Sequence, residues 1–125
     1  MSKHVDFESL DFNGWTAEDE DAAIEAAASS AAIKYVVGDS TFFGRFPDGT
    51  VVATPLKFSS EIIDKVADVA SGDKSEREQL SALLDLLGQK DDVAYLAHAD
   101  LISVMDYAVK YFGVFERVIG LALGE

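Results

Sequence analysis

Along the last quarter of the chain, apolar residues recur three and four positions apart on two adjacent lines. Leu101, Met105, Ala108, Phe112, Phe115, Ile119 and Ala122 form the first; Val104, Tyr107, Tyr111, Val114, Val118 and Leu121 form the second. Such spacing marks a helical face. With Asp100 placed as an N-cap, it predicts a helix from there to about Leu123. Only the strip Ser103, Asp106, Lys110, Gly113, Arg117 and Gly120 is polar or small, so roughly two thirds of the circumference is apolar and must be wrapped by something. The first line is assigned to the core. The second, with its two tyrosines, is assigned to contacts with another chain, because aromatic residues with a polar tip suit interfaces that are apolar at one end and wet at the other. The candidate partner-binding residues are therefore Tyr107, Tyr111, Val114, Val118 and Leu121, and a homo-oligomer is expected. The alternative is a central helix covered on both lines by its own domain.

Upstream, Ser75 and Glu78 read as a capping box before Leu80, Leu83, Leu84 and Leu87, with Gly88 as the stop. Before that, "SSEIIDKVADVASGD" predicts a short amphipathic helix ending near Gly72. The period changes to β-type between Lys34 and Phe58. There "TFFGRF" and "TVVATPL" flank Pro47, Asp48 and Gly49, which predicts a hairpin with strands at about residues 41–46 and 50–56. Pro55 belongs at an edge or strand end. In front lies an alanine-rich helix opened by Thr16 and Asp19, with acids in its first turn. Residues 1–15, with Val5, Phe7, Leu10, Phe12 and Trp15 scattered among acids, read as an extended, flexible arm or as a segment that orders on a partner. The predicted fold is α+β and predominantly helical: a small hairpin at about residues 41–56, then three helices, with the acidic arm (1–15) ahead of one domain (16–125).

Charge sharpens this picture. The 125 residues carry a net charge of −13, and residues 1–33 hold eight Asp or Glu against Lys3 alone. A phosphate backbone needs clustered Lys and Arg, so nucleic acid is not an expected partner, and neither is an anionic membrane surface. No apolar run reaches a membrane-spanning or signal-peptide length, so nothing marks the chain for export. Cysteine is absent, which excludes disulfides and thiolate metal sites.

Candidate chemistry is sparse. No phosphate-binding glycine loop, nucleophile elbow, zinc-protease motif or calcium loop is present. His98 stands two residues before Asp100, but a histidine and an aspartate without a nucleophile make no triad. The acids at 18–21 splay around a helical turn, whereas a calcium loop needs convergent oxygens. No catalytic residue, cofactor or metal is expected.

The succession of these segments carries a resemblance. "TFFGRFPDGTVVATPLKFS", "SSEIIDKV", "EREQLSALLDLLG" and "DLISVMDYAVKYFGVFERVIGLALGE" together resemble tail assembly chaperones of long-tailed, siphovirus-type bacteriophages, especially those infecting actinobacteria. The likeness covers about residues 41–125, with Ala108, Phe112, Phe115, Glu116 and Gly120 fitting the pattern of the family's final helix. It implies a non-enzymatic protein of the host cell cytoplasm that keeps the tape measure protein soluble, helps recruit tail tube subunits, and is not retained in the mature virion. It also implies a longer companion made by ribosomal frameshifting, which the ending "LALGE" would suit as the short form. The main rival is a small structural or adaptor protein of the tail or head–tail junction that stays in the particle. Lower in rank are an acidic nucleic-acid mimic and, last, an enzyme built on His98.

Overall fold

A computed structural model describes residues 7–62, 64 and 75–124. By compactness the chain divides into two units, Met1–Ser30 and Ala31–Glu125.

In the first unit, a single 3₁₀ turn (Phe7–Ser9) precedes helix α1 (Ala17–Ala31). The start of α1 is a reciprocal cap: Asp19 N–H donates to Thr16 Oγ1 and Thr16 N–H donates to Asp19 Oδ2, each at 3.1 Å. Glu18, Asp19 and Glu20 occupy the first turn, where the helix dipole favours negative charge. Leu10, Phe12 and Trp15 are exposed, and the Asp11 carboxylate accepts from Gly14 N–H at 2.8 Å. Residues 1–6, including His4 and Val5, lie outside the described part.

The second unit is α+β and mostly helical, as expected. A three-stranded antiparallel sheet is formed by β1 (Lys34–Gly38), β2 (Thr41–Arg45) and β3 (Val51–Pro55), in that spatial order. The β2–β3 hairpin is the predicted one. Gly49 has φ +92°, and Phe46 N–H donates to Thr50 O at 2.8 Å to close the turn. β1 adds a strand that the sequence reading did not assign. Its turn to β2 is made by Asp39 and Ser40, both at positive φ (51° and 56°), the geometry of a two-residue hairpin without the usual glycine.

Residues 60–62 and 64 are helical, in agreement with the predicted helix at "SSEIIDKV"; the remainder of that prediction lies outside the described residues. Three helices follow: α2 (Glu76–Leu86), α3 (Lys90–His98) and α4 (Leu101–Ala122). Ser75 caps α2 by accepting from Glu78 N–H at 3.3 Å. The nine-residue α3 is a second addition; its N-cap, Gln89, makes no side-chain cap bond, so the residue types at its start give little signal.

One face of the sheet packs on α4 and α2. Phe42, Phe46, Val52, Thr54 and Leu56 from the sheet, Leu80, Leu83 and Leu84 from α2, Leu96 from α3, and Val104, Tyr107, Ala108, Tyr111 and Val114 from α4 are all buried. Rings dominate the centre: Phe42 meets Tyr107 and Tyr111 edge-on at 5.0 and 5.5 Å, and Phe46 stacks on Tyr107 at 5.5 Å.

Asp100 caps α4 as expected, its carboxylate accepting from Ser103 N–H at 3.0 Å. Replacing Asp100 with Ala removes that acceptor. It is expected to cost about 1 kcal/mol, read as a lowered midpoint in urea with an unchanged slope.

Candidate functional site

α4 settles what is buried: the second line, assigned to contacts with another chain, enters the core as far as Val114, together with Ala108, Phe112 and Phe115 of the first. Val104, Tyr107, Tyr111 and Val114 point into the sheet, and both tyrosines have no exposed surface. Val118 is half-buried, and Leu121, on the overhanging last turn, is 75% exposed. Tyr107, Tyr111 and Val114 are therefore corrected from partner-binding to core residues. On the other line Ala108 is buried and Phe112 and Phe115 are half-buried, but Leu101, Met105, Ile119 and Ala122, expected in the core, are exposed.

The tyrosine hydroxyls explain why the second line is buried. Tyr107 Oη lies 2.6 Å from Thr54 Oγ1 and donates to Val52 O at 3.1 Å; Tyr111 Oη donates to Pro55 O at 2.6 Å. The polar tips that suggested a wet interface instead satisfy groups of β3 inside the fold. Burial drives both phenol pKa values above the ordinary tyrosine range.

The first half of the polar strip of α4, Ser103, Asp106 and Lys110, also faces protein, whereas Gly113 and Arg117 are exposed. Ser103 Oγ–H donates to Ala31 O at 2.6 Å, Asp106 Oδ2 accepts from Ile33 N–H at 2.9 Å, and Lys110 Nζ donates to Ile33 O at 3.2 Å and to Asp106 at 2.8 Å. These contacts hold residues 31–33 at the entry to β1.

An apolar line of α4 faces solvent. Leu101, Ile102, Met105 and Val109 are each at least half exposed, and Glu116 continues the same side of the helix. With Ser75, Glu76, Arg77 and Glu78 at the start of α2, Leu101, Met105 and Val109 border a shallow groove. Past the core, Leu121 and Leu123 add exposed apolar surface at the helix end. Four adjacent large apolar side chains on one helix face are more than the scattered exposure ordinary for a soluble surface. One sequence signal pointed to this side: Glu116 falls on it seven residues after Val109, a spacing that returns to nearly the same angle.

His98 is exposed at a shallow depression that also involves Tyr95, Asp48, Asp100 and Ser103. No hydrogen bond joins His98 to these residues. The Ser103 hydroxyl is buried and gives its proton to a carbonyl, the opposite of a hydroxyl activated by a base. The Asp48 carboxylate accepts from Thr50 N–H at 2.8 Å and from Tyr95 Oη–H at 2.9 Å, and these bonds, the Thr50 contacts first, hold its pKa below the usual carboxylate value. Tyr95 is shifted up, first by burial and then by its bond to Asp48. Among the described residues no group of three or more acidic or histidine side chains is placed to hold a metal, and no helix is long and apolar enough to cross a membrane.

Comparison of the chain with protein-family models, with curated proteins and with solved structures gives no match.

Proposed function

We propose that the chain is a non-enzymatic tail assembly chaperone of a long-tailed bacteriophage, acting in the host cytoplasm on the tape measure protein. The reading rests on the resemblance of residues 41–125 and on one structural observation, the exposed apolar line Leu101–Met105–Val109 of α4 on a strongly acidic body. A long helical client displays apolar stripes that aggregate when unpaired, and a second apolar helix face laid alongside removes them from water. Burial of three or four side chains of this size supplies roughly 1.5–3 kcal/mol each before association costs. The net charge of −13 keeps the complex dispersed. Recruitment of tail tube subunits, a longer frameshifted companion and absence from the finished particle belong to the same proposal.

Co-expression with the tape measure protein of the same genome tests it. The client is expected in the soluble fraction, and co-purifying, only when the wild-type chain is present. With Met105→Glu and Val109→Glu combined, client recovery is expected to fall at least tenfold while the chaperone's own melting temperature stays within a few degrees. Equal client solubility without the chain contradicts the proposal. Detection of the chain in purified particles favours the structural rival.

A further inference from the structure

The two edges of the sheet differ. On β3, Pro55 has no N–H to offer, and the outward carbonyls of Ala53 and Pro55 are taken by Gln89 Nε2 at 2.8 Å and by Tyr111 Oη at 2.6 Å. The carbonyls along the second half of that edge are thus taken by side chains of its own fold.

The β1 edge is open. Leu56 N–H donates to Ser40 O and Phe46 N–H donates to Thr50 O, so even-numbered positions along β2 turn their backbone groups toward β3 and odd-numbered ones toward β1. By the register, Thr41, Phe43 and Arg45 then bond to Gly38, Val36 and Lys34. The N–H and C=O of Tyr35 and Val37 are left pointing away from the sheet. Side chains here are exposed too: Val36 by 67% and Val37 by 50%. The open stretch has defined ends. Ile33, one alternation earlier, already has its N–H on Asp106 and its C=O on Lys110, while at Asp39, one alternation later, the chain turns at positive φ.

We propose that this edge pairs antiparallel with the same edge of a second copy, about a twofold axis at Val36, to make one six-stranded sheet. The free groups choose that register. Centred on Val36, Tyr35 of each copy lies opposite Val37 of the other, so both outward residues of both strands exchange hydrogen bonds, about four in all. Centring on Tyr35 would need the backbone of Ile33, which is taken. Centring on Val37 would pair Tyr35 with Asp39, which has left the strand. Charge agrees with the choice: Lys34 falls opposite Gly38 of the second copy, beside the acidic Asp39 turn, and no like charges are opposed. On the outer face, the row Val36, Phe43, Ala53 continues across the axis into the same row of the second copy. The pairing does not depend on the identity of any client. An interface this small makes a dimer that forms with rising concentration rather than an obligatory one.

The cysteine-free sequence makes the register directly testable. Residues facing each other at a non-hydrogen-bonded position have Cα atoms about 4.5 Å apart, within disulfide range. Val36→Cys is therefore expected to give a disulfide-linked dimer under mild oxidation, while Val109→Cys, also more than half exposed, stays monomeric. In sedimentation equilibrium the wild type is expected to rise from 13.5 kDa toward twice that mass with concentration. Val36→Lys, which sets two cations face to face at the axis, is expected to stay at the monomer mass with an unchanged circular dichroism spectrum. If V36K fails to fold, the crosslinking comparison decides. A wild type that is monomeric at every concentration, V36K with unaltered association, or equal crosslinking at positions 36 and 109 overturns the proposal; a monomer also leaves the edge to an extended partner strand.

Discussion

Replacing Tyr111 with Glu is expected to unfold the domain. Tyr111 has no exposed surface; its ring meets Phe42, Phe112 and Phe115, and its hydroxyl serves Pro55 O. The substitution removes a large buried ring, which by itself costs about 3–5 kcal/mol. It also strands a carboxylate among apolar groups with a carbonyl oxygen for a neighbour, which adds several kcal/mol unless the acid stays protonated. A domain of this size has about 5–15 kcal/mol in total. Loss of the far-UV helical signal at 25 °C is the expected result. The same change at Met105, on the solvent-exposed line of α4, is expected to leave the spectrum and melting temperature nearly unaltered, within about 0.5 kcal/mol. Were the tyrosine line an interface, Tyr111→Glu would instead split an oligomer and spare the helix.

Gly44→Ala is expected to be the most damaging one-carbon change in the sheet. Gly44 is buried on the inner face, and a Cβ there would overlap the edge of the Tyr107 ring, lying 2.6 Å from Cδ2 and 3.2 Å from Phe42 Cε1. Neither ring can yield easily, because Tyr107 is held by Thr54 and Val52 O and Phe42 is wedged between Tyr35, Tyr107 and Tyr111. Overpacking of this kind costs about 1–3 kcal/mol. For a domain of this size each kcal/mol lowers the melting temperature by about 4–8 °C. In a Tyr107→Leu background the extra penalty of Gly44→Ala should shrink, since the obstructing ring edge is gone; a double-mutant cycle measures that coupling. Additive losses would place the conflict elsewhere.

The parts of this fold legible in the sequence are those fixed by short-range chemistry. Thr16, Ser75 and Asp100 each sit three residues before the group whose N–H they accept; the sequence marks the first two by an acid at that spacing and the third by a capping residue type ahead of the apolar period. Pro47, Asp48 and Gly49 announced the β2–β3 turn because a preset φ, an Asx bond and a left-handed residue occur in order. β1 was hidden because its turn uses Asp39 and Ser40 in a conformation that glycine or asparagine usually advertises.

The candidate site was legible as to element but not as to side. Two neighbouring lines on α4 satisfy the same three-and-four spacing, so periodicity is degenerate between them. The choice is made by partners more than fifty residues away: Thr54, Val52 and Pro55 receive the tyrosines, and Ala31 and Ile33 receive Ser103, Asp106 and Lys110. Once β3 and the 31–33 segment are satisfied, the line through Leu101, Met105 and Val109 is what the fold has left uncovered.

Cysteine labelling at Met105, with and without the client, tests the central claim most directly. In an otherwise cysteine-free chain, Met105→Cys is expected to react with a maleimide at close to the unfolded-state rate, and to become protected at least tenfold when the tape measure protein is co-purified with it. Ala108→Cys, three residues on but buried, should be protected in both states. A Cys at 105 that is unreactive in the free protein would contradict the orientation of α4. One that remains equally reactive in the complex would contradict the assignment of this face to the client.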